Sequence, residues 1–399
     1  MSPMKLYFDV RDVCRAPRLA LSGKKILIFL LGLLSGWVAY WVLTNIALAL
    51  AGYSFATVWE KFGLYPCLYA TGCGPWYAQL VYWIGIIIWF LTINLACTAV
   101  ARVTYKQLKG DEFYSSGDAW KYVKKHWHPV VFGSFSIIVI IVLFLFMAAV
   151  FSLFGKIPYV GEFLFALPYL FYFFGAVFTV YTAVVLITSF IYTPAIVGAY
   201  EEDTMGTVFQ SYSLTWSQPW RILLYNLILL PLGYLSVYIF GLFWYGGYKL
   251  INIVFGAEWF MGMGAKLTNI VGYASQIVFP SFCSGGCSGC GGCGLCCLFP
   301  AAAGDIPVVQ AIAGVIVAIF LFLLFASIVA YGLSILSVGE TLMFVIYKKK
   351  SDDDNLLERK DEEELEAEEE EKEEAEDDTG DDEPDADSVD SAAAEPENS

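Results

Sequence analysis

Six cysteines lie close together between residues 283 and 297, and their spacing is the most specific chemical signal in the sequence. They are Cys283, Cys287, Cys290, Cys293, Cys296 and Cys297. The run Cys287-x2-Cys290-x2-Cys293-x3-Cys297 has the spacing of a bacterial ferredoxin run, whose thiolates ligate an iron–sulfur cluster. Because intervening glycines let the backbone wrap, the same four thiolates could instead hold zinc. The proline that usually follows such a run is missing, since Leu298 stands there.

Disulfide bonds fit the cysteines better than a metal site does. Eight of the ten cysteines fall in loops that we predict to face the outer side of a membrane, namely Cys67, Cys73 and the six above. An even number of thiols in an oxidising compartment favours pairing, although the connectivity cannot be deduced. Free thiols, some of them acylated, are a third reading. No second cluster run or flavin motif occurs elsewhere, so we expect no cofactor.

Other catalytic signatures are absent from the sequence. The two histidines, His126 and His128, flank Trp127, and the nearest acid on their N-terminal side is Asp118. This pattern is more typical of hydrogen-bonded interfacial side chains than of metal ligands. No Gly-Lys-Ser/Thr loop, His-Glu-x-x-His or Gly-x-Ser-x-Gly motif occurs. The sequence therefore favours a protein that is not an enzyme.

Long apolar runs dominate the rest of the chain. It is 58% hydrophobic, has a mean hydropathy of +0.62, and contains runs longer than the roughly 18 residues that mark a membrane span. We predict an all-α, polytopic membrane protein with six spans, at about 26–51, 79–101, 130–154, 163–200, 221–245 and 308–332. The fourth run is too long for one crossing, so we expect Pro168 and Pro194 to bound its span. Ser334, Ser337 and Glu340 predict that the last helix continues past the membrane as a polar-striped segment.

Three charged, amphipathic stretches precede pairs of spans, at 1–25, 102–129 and 201–220. In the third, Met205, Val208, Phe209, Tyr212 and Trp216 recur at helical spacing and predict one apolar face. We expect these leaders to lie at the membrane surface, anchored by Trp120, Trp127 and Trp216. Packing on one another as a small cytoplasmic layer is the alternative.

Basic residues give the orientation. Sixteen Lys and Arg flank one side of the predicted spans and four lie on the other. By the positive-inside rule, the leaders and both termini are cytoplasmic in a multi-pass protein of the cell membrane. The membrane domain, 1–350, then divides into three units, each an amphipathic helix followed by a membrane hairpin. The units cover about 1–101, 102–200 and 201–347, and the third contains a Cys/Gly-rich outer loop at about 246–307.

The C-terminal segment, 351–399, is strongly acidic. It holds 26 of the 39 acids but only three of the 23 bases. It lacks the apolar residues needed to offset ordering entropy, so we predict a disordered tail. The tail either increases solubility, docks a cytoplasmic partner or buffers cations. The remaining body is mildly basic and suits an anionic membrane surface, and nothing in it predicts nucleic-acid binding.

Polar residues inside the spans are few and uncharged. They are Asn45, Asn94, Asn226 and Gln310, together with serines and threonines. Such asparagines commonly join helices, although three hairpins could also surround a cavity lined by them. Ion-coupled carriers usually keep a charged residue at depth, so a proton-driven transporter is disfavoured.

Several stretches resemble a known group of prokaryotic membrane proteins. They are Ala-Cys-Thr-Ala-Val-Ala-Arg-Val-Thr-Tyr-Lys-Gln-Leu-Lys-Gly at 96–110, a Trp-containing helix at 114–127, the exit from the fourth span at 194–202, and a serine-containing helix leading to Pro-Trp-Arg at 208–221. The group includes the membrane domain of some glycerophosphodiester phosphodiesterases and standalone proteins of unknown function. The resemblance implies the same membrane architecture over about 26–350. The cysteine loop and acidic tail depart from it, and with no phosphodiesterase domain that activity is not implied.

Three functions follow from these patterns. A scaffold or accessory subunit of a membrane complex fits the lack of catalytic motifs and the available tail. A transporter or channel for a neutral or amphiphilic solute or lipid is the first alternative. A membrane redox protein that uses the cysteine cluster is the second. The expected partners are the lipid bilayer, other membrane proteins and a tail-binding cytoplasmic protein.

Overall fold

A computed structural model describes residues 4–69, 74–256, 263–279, 306–361 and 363–365, and in these ranges the protein is all-helical, as predicted. The helices, numbered in chain order, are α1 Val10–Val13, α2 Ala16–Ala20, α3 Gly23–Leu50, α4 Phe55–Phe62, α5 Trp76–Lys109, α6 Ser116–Lys125, α7 Trp127–Gly155, α8 Val160–Ala166, α9 Tyr169–Tyr200, α10 Thr204–Ser217, α11 Pro219–Gly256, α12 Gly264–Val278 and α13 Val308–Ser351.

Six of these helices, α3, α5, α7, α9, α11 and α13, are long and apolar enough to cross a membrane. Each covers one of the six predicted spans, which supports a multi-pass membrane protein. The longest, α13, is one unbroken helix as predicted, and at ~1.5 Å per residue it is about 66 Å long. A bilayer core of about 30 Å cannot contain it, so part of α13 extends beyond the membrane.

Two predicted boundaries do not coincide with helix ends. Pro168 does lie at the start of α9, but Pro194 is inside that helix, which continues to Tyr200. The ring of Pro194 removes one N–H from the helix, and the close packing of its buried neighbours holds the backbone helical across it. The second leader, predicted at 102–129, likewise does not begin with a helix of its own. Helix α5 runs unbroken to Lys109, so Arg102 belongs to a long apolar helix and only α6 is a separate short one.

The buried core collects at one end of the long helices, which we call the basic end. It comprises the starts of α3, α7 and α11 and the ends of α5, α9 and α13. Side chains tie these ends together: Tyr122 Oη donates to Val197 O at 2.7 Å, and Gln218 Nε2 donates to Tyr347 O at 3.1 Å. The largest hydrophobic cluster draws on α1, α2, α5, α6, α9 and α13 at this end.

Away from the basic end, the long helices present apolar side chains outwards. Phe146 of α7, Phe171 of α9 and Leu227 of α11 are all more than half exposed. In water such a surface would be unfavourable, whereas helices with satisfied backbones can present it to lipid. These surfaces are compatible with direct contact to a bilayer.

Helices α3 and α5 approach most closely at a small-residue motif. Gly32 and Gly36 form Gly-x-x-x-Gly on α3, and a Cβ at Gly32 would lie 2.7 Å from Ala96 Cβ. A Cβ at Gly36 would collide with Thr92 and Trp89. Small residues let the two backbones pack at short range, as in other membrane helix pairs. Our sequence analysis overlooked this motif, although Gly-x-x-x-Gly in an apolar run is a recognised signal.

Helix α6 is fixed at its start by a side-chain cap. Ser115 Oγ accepts a hydrogen bond from Asp118 N at 3.1 Å and donates to Asp118 Oδ2 at 2.6 Å, while Lys121 Nζ lies 3.3 Å from Asp118 Oδ1. The hydrogen bond from Ser115 is the main cause that lowers the pKa of Asp118, and Lys121 adds to it. The folded helix therefore stabilises the charged form of the Asp118 carboxylate.

Replacing Ser115 by alanine is expected to cost about 1 kcal/mol of stability, because the cap is lost. Since the folded pKa of Asp118 is depressed, its contribution is present above the unfolded pKa of about 3.9 and is lost as pH falls through the lower folded value. Thermal unfolding of the parent and of Asp118→Asn should thus differ at neutral pH and converge in acid. A difference in unfolding temperature between the two proteins that stays constant down to the lowest pH would contradict the stabilising role of the charged Asp118.

Candidate functional site

The polar stripe predicted on α13 is buried inside the basic end. Ser334 Oγ donates to Ala20 O at 3.2 Å, and Ser337 Oγ donates to Cys97 O at 3.0 Å. The stripe therefore packs against neighbouring segments at the basic end. It binds backbone carbonyls of two neighbouring segments, because an apolar helix that packs this tightly needs hydrogen-bonding groups at its crossings.

Glu340 continues this stripe and is the exceptional member of it. Its side chain is half-buried and lies within electrostatic range of Cys97 and Tyr192. No hydrogen bond or ion pair joins its carboxylate to another residue in the part of the chain that the structure describes. Glu340 is thus an acid set among the ends of α5, α9 and α13.

A chain of polar side chains connects α9, α11 and α13 beside Glu340. Asn226 Nδ2 donates to Tyr192 Oη at 2.8 Å, and the Tyr192 and Tyr347 hydroxyls lie 3.5 Å apart. Tyr347 Oη donates in turn to Arg221 O at 3.1 Å, and its ring stacks on Tyr225. The hydroxyl and amide groups satisfy one another, so this network fixes helix positions.

An ion pair lies deep in the same core. Arg102 of α5 is fully buried, and its Nη1 is 2.7 Å from Glu201 Oε1 at the end of α9. The guanidinium carbon also lies 4.3 Å from the centre of the Tyr122 ring. Glu201 has φ of 60°, the left-handed conformation in which a helix commonly ends. The pair joins the ends of two long helices and the intervening helix α6.

Helix α10 packs with the opposite polarity to a helix in a soluble protein. Its buried face carries Thr207, Ser211 and Thr215, whose hydroxyls donate to the carbonyls four residues earlier. The predicted apolar face divides: Val208 is buried, whereas Trp216 is 79% exposed. The other members of that face are Met205 and Phe209, both exposed, and Tyr212, which is half-buried.

The other predicted tryptophan anchors differ in exposure. Trp120 is half-buried and packs against the core through α6, and Trp127 is exposed at the start of α7. The histidines beside Trp127 have structural surroundings. His126 stacks on Tyr122 at 4.4 Å between ring centres, and His128 lies against Trp127 at 3.9 Å.

Two of the three predicted cavity asparagines turn back on their own helices. Asn45 Nδ2 donates to Trp41 O at 2.8 Å, and Asn94 Nδ2 donates to Phe90 O at 2.9 Å. Asn226 also donates to Ile222 O, in addition to its bond across to α9. Within the described part of the chain, no hydrogen bond connects the three amides, which lie on α3, α5 and α11.

Cysteines in the described ranges form no disulfide with one another. They are Cys14, Cys67 and Cys97, and the Cys67 Sγ lies 3.6 Å from Tyr82 Oη. The disulfide prediction thus has no support from these three. The remaining candidates, Cys73, Cys283, Cys287, Cys290, Cys293, Cys296 and Cys297, lie outside the described residues, as do the predicted metal ligands among them. In the described ranges no three His, Cys, Asp or Glu side chains are grouped to hold a metal ion.

An apolar cavity of about 730 Å³ opens between α7, α8 and α9, where α7 ends and α9 begins, away from the basic end. Its walls include Phe144, Phe151, Phe171 and Tyr172, and Gly175 leaves space at its base. The cavity presents hardly any hydrogen-bonding groups, so its chemistry suits a hydrocarbon chain. Our sequence analysis did not predict it, because phenylalanine-rich spans read as uniformly apolar.

Comparison of the chain with protein-family models, with curated proteins and with solved structures finds no match. The resemblance noted for residues 26–350 therefore remains a prediction.

Proposed function

We propose that the protein is a scaffold or accessory subunit of a membrane complex. The observation that carries this proposal is that the polar groups at the basic end, apart from the carboxylate of Glu340, pair with one another or with backbone carbonyls. Ser337, Tyr192, Asn226 and Tyr347 bind one another or backbone carbonyls, and Arg102 is paired with Glu201. A core that uses its polar groups to hold helices together offers a rigid platform rather than a path for solutes.

In this proposal the basic end faces the cytoplasm, and the membrane domain consists of three helix pairs with leaders at the membrane surface. Lys348, Lys349 and Lys350 end α13, where the positive-inside rule favours the cytoplasmic side. The exposed ring of Trp216 then lies at headgroup depth. Both termini share that side, so the acidic tail leaves the platform where cytoplasmic partners can reach it.

The tail is the segment best suited to bind a basic partner. Eight glutamates lie within residues 366–376, inside the most acidic part of the chain. We expect full-length protein, extracted into native nanodiscs without detergent, to carry a partner in defined stoichiometry. Replacing the eight glutamates by glutamine should lower the yield of that partner several-fold at low salt, since screened charges act over about 10 Å at 0.1 M.

The matched control replaces the eight acids within residues 381–397, which are more thinly spread. It should reduce the partner yield less. The scaffold role would be contradicted if the protein, extracted into nanodiscs from cells at native expression level, were monomeric and carried no partner.

A lipid or amphiphile carrier is the second candidate, and the apolar cavity between α7 and α9 favours it. Filling the cavity should block such a carrier without unfolding it. A Cβ at Gly175 meets no atom within 4 Å, so Gly175→Trp can place its ring in the cavity. In reconstituted vesicles we expect this variant to lower the rate of fluorescent-lipid transfer strongly, if the cavity carries lipid.

Val177→Trp is the control, because Val177 lies on the same helix, is half exposed and does not line the cavity. It should leave the transfer rate unchanged. If vesicles that contain the parent protein transfer fluorescent lipid no faster than protein-free vesicles, the carrier function is excluded and the scaffold role remains. The redox alternative needs iron bound in proportion to the cysteine run, which metal analysis of protein prepared without oxygen would reveal.

A further inference from the structure

A second cavity, of about 460 Å³, lies at the basic end where α10 meets α11 and α13 ends. Its lining is polar and basic. It includes Ser217, Gln218, Trp220, Arg221, Lys350 and Ser351. No acid lines it, so the pocket differs in chemistry from the apolar cavity between α7 and α9.

Arg221 is the cation of this cavity whose charge is least offset by neighbouring acids. Its Nη1 donates to Gln218 Oε1 at 3.2 Å, and no acid pairs with it among the residues that the structure describes. A guanidinium has five N–H donors in a planar fork, so most of them remain available to an oxyanion. Lys350 adds a second cation, although Asp9 Oδ1 lies 3.0 Å from its Nζ and offsets part of its charge.

An apolar stripe begins at the same cavity and runs along α11. Trp220, Leu223, Leu224 and Leu227 follow the spacing i, i+3, i+4 and i+7, and each is at least half exposed, with Trp220 at 81%. A molecule whose anionic head occupied the cavity could therefore lay a hydrocarbon chain along α11. Tryptophan at such a boundary is favoured at the headgroup level of a bilayer.

We propose that this cavity binds the phosphate of an anionic phospholipid headgroup. Arg221 holds the phosphate oxygens through charge-assisted hydrogen bonds, Lys350 adds attraction, and the serine hydroxyls donate to the remaining oxygens. The acyl chains lie against the stripe on α11. This site does not depend on the scaffold role or on lipid transport, since it requires only that the basic end meets a membrane surface.

The test titrates the delipidated full-length protein in detergent with phosphatidylglycerol and with phosphatidylcholine, and counts bound lipids by native mass spectrometry. The parent should bind phosphatidylglycerol more tightly. Arg221→Gln should weaken that binding about tenfold, as the loss of a charged hydrogen-bond donor predicts. Lys350→Gln should weaken it less, and Asp9→Asn should strengthen it, because Lys350 is then unpaired. A gain of affinity cannot come from misfolding.

Lys349→Gln is the matched control. It removes the same charge one residue away, but Lys349 pairs with Asp353 and does not line the cavity. An equal loss of affinity in Lys349→Gln and Arg221→Gln would overturn the site in favour of general surface charge. Equal affinity of the parent for the two lipids would also overturn it. Displacement of phosphatidylglycerol by millimolar inorganic phosphate would assign the cavity to a soluble phosphate instead of a lipid.

Discussion

Replacing Arg102 by methionine is expected to destabilise the protein by about 3–5 kcal/mol, because it removes the guanidinium that lies against the buried carboxylate of Glu201. The two groups lie 2.7 Å apart, and Arg102 is completely shielded from solvent. Methionine keeps much of the side-chain volume, so the loss reflects charge more than packing. Unfolding by denaturant in a fixed detergent, followed by the fluorescence of the core, would measure the difference.

The double variant Arg102→Met with Glu201→Gln separates the two causes. If the isolated charge is the main penalty, neutralising Glu201 should recover a large part of the lost stability. An exposed ion pair gives the control. Lys121 pairs with Asp118 on the surface of α6, so Lys121→Met should cost at most about 1 kcal/mol. A loss for Arg102→Met no larger than that for Lys121→Met would mean that water reaches the core pair.

Hydropathy predicted the long helices because each span is a local property of the sequence. Window composition alone locates all six, from α3 to α13, although α5 and α11 continue past the predicted span ends at 101 and 245, to Lys109 and Gly256. The ends themselves were less predictable. The sequence predicts Arg102 and Lys106 to lie at the membrane interface, yet both are buried. The charge of Arg102 is compensated by Glu201, which lies far away in the sequence. Nothing near Arg102 in the sequence indicates that Glu201 will meet it.

The candidate site was only partly predictable for the same reason. Asn226 was recognised as a polar residue in a span, but its partner Tyr192 lies on another helix and looked like one aromatic among many. Glu340 was placed at a membrane boundary, and its neighbours from α5 and α9 were not foreseen. Local periodicity reports which face of a helix is polar. Which helix covers that face depends on the packing of the whole bundle.

Helix α9 crosses α5 at Gly198, and this contact provides the second large expected effect. A Cβ built at Gly198 would lie 2.8 Å from Ala101 Cβ, 3.0 Å from Thr98 O and 3.1 Å from Arg102 N. Two of those three neighbours are backbone atoms, which cannot rotate away as a side chain can. Gly198→Val should therefore force the helices apart and cost about 3 kcal/mol or more. It should also disturb the Arg102–Glu201 pair, which lies within one turn of the crossing.

The same substitution at Gly175 is a close control on the same helix. Nothing lies within 4 Å of a Cβ at Gly175, so Gly175→Val adds a side chain to open space. The change in helix propensity from glycine to valine is common to both variants and cancels in the comparison. The difference in unfolding free energy between Gly198→Val and Gly175→Val thus measures the contact between α9 and α5. Equal stability of the two variants would mean that these helices do not cross as closely as Gly198 indicates, and that the basic end is not the rigid platform on which the scaffold role depends.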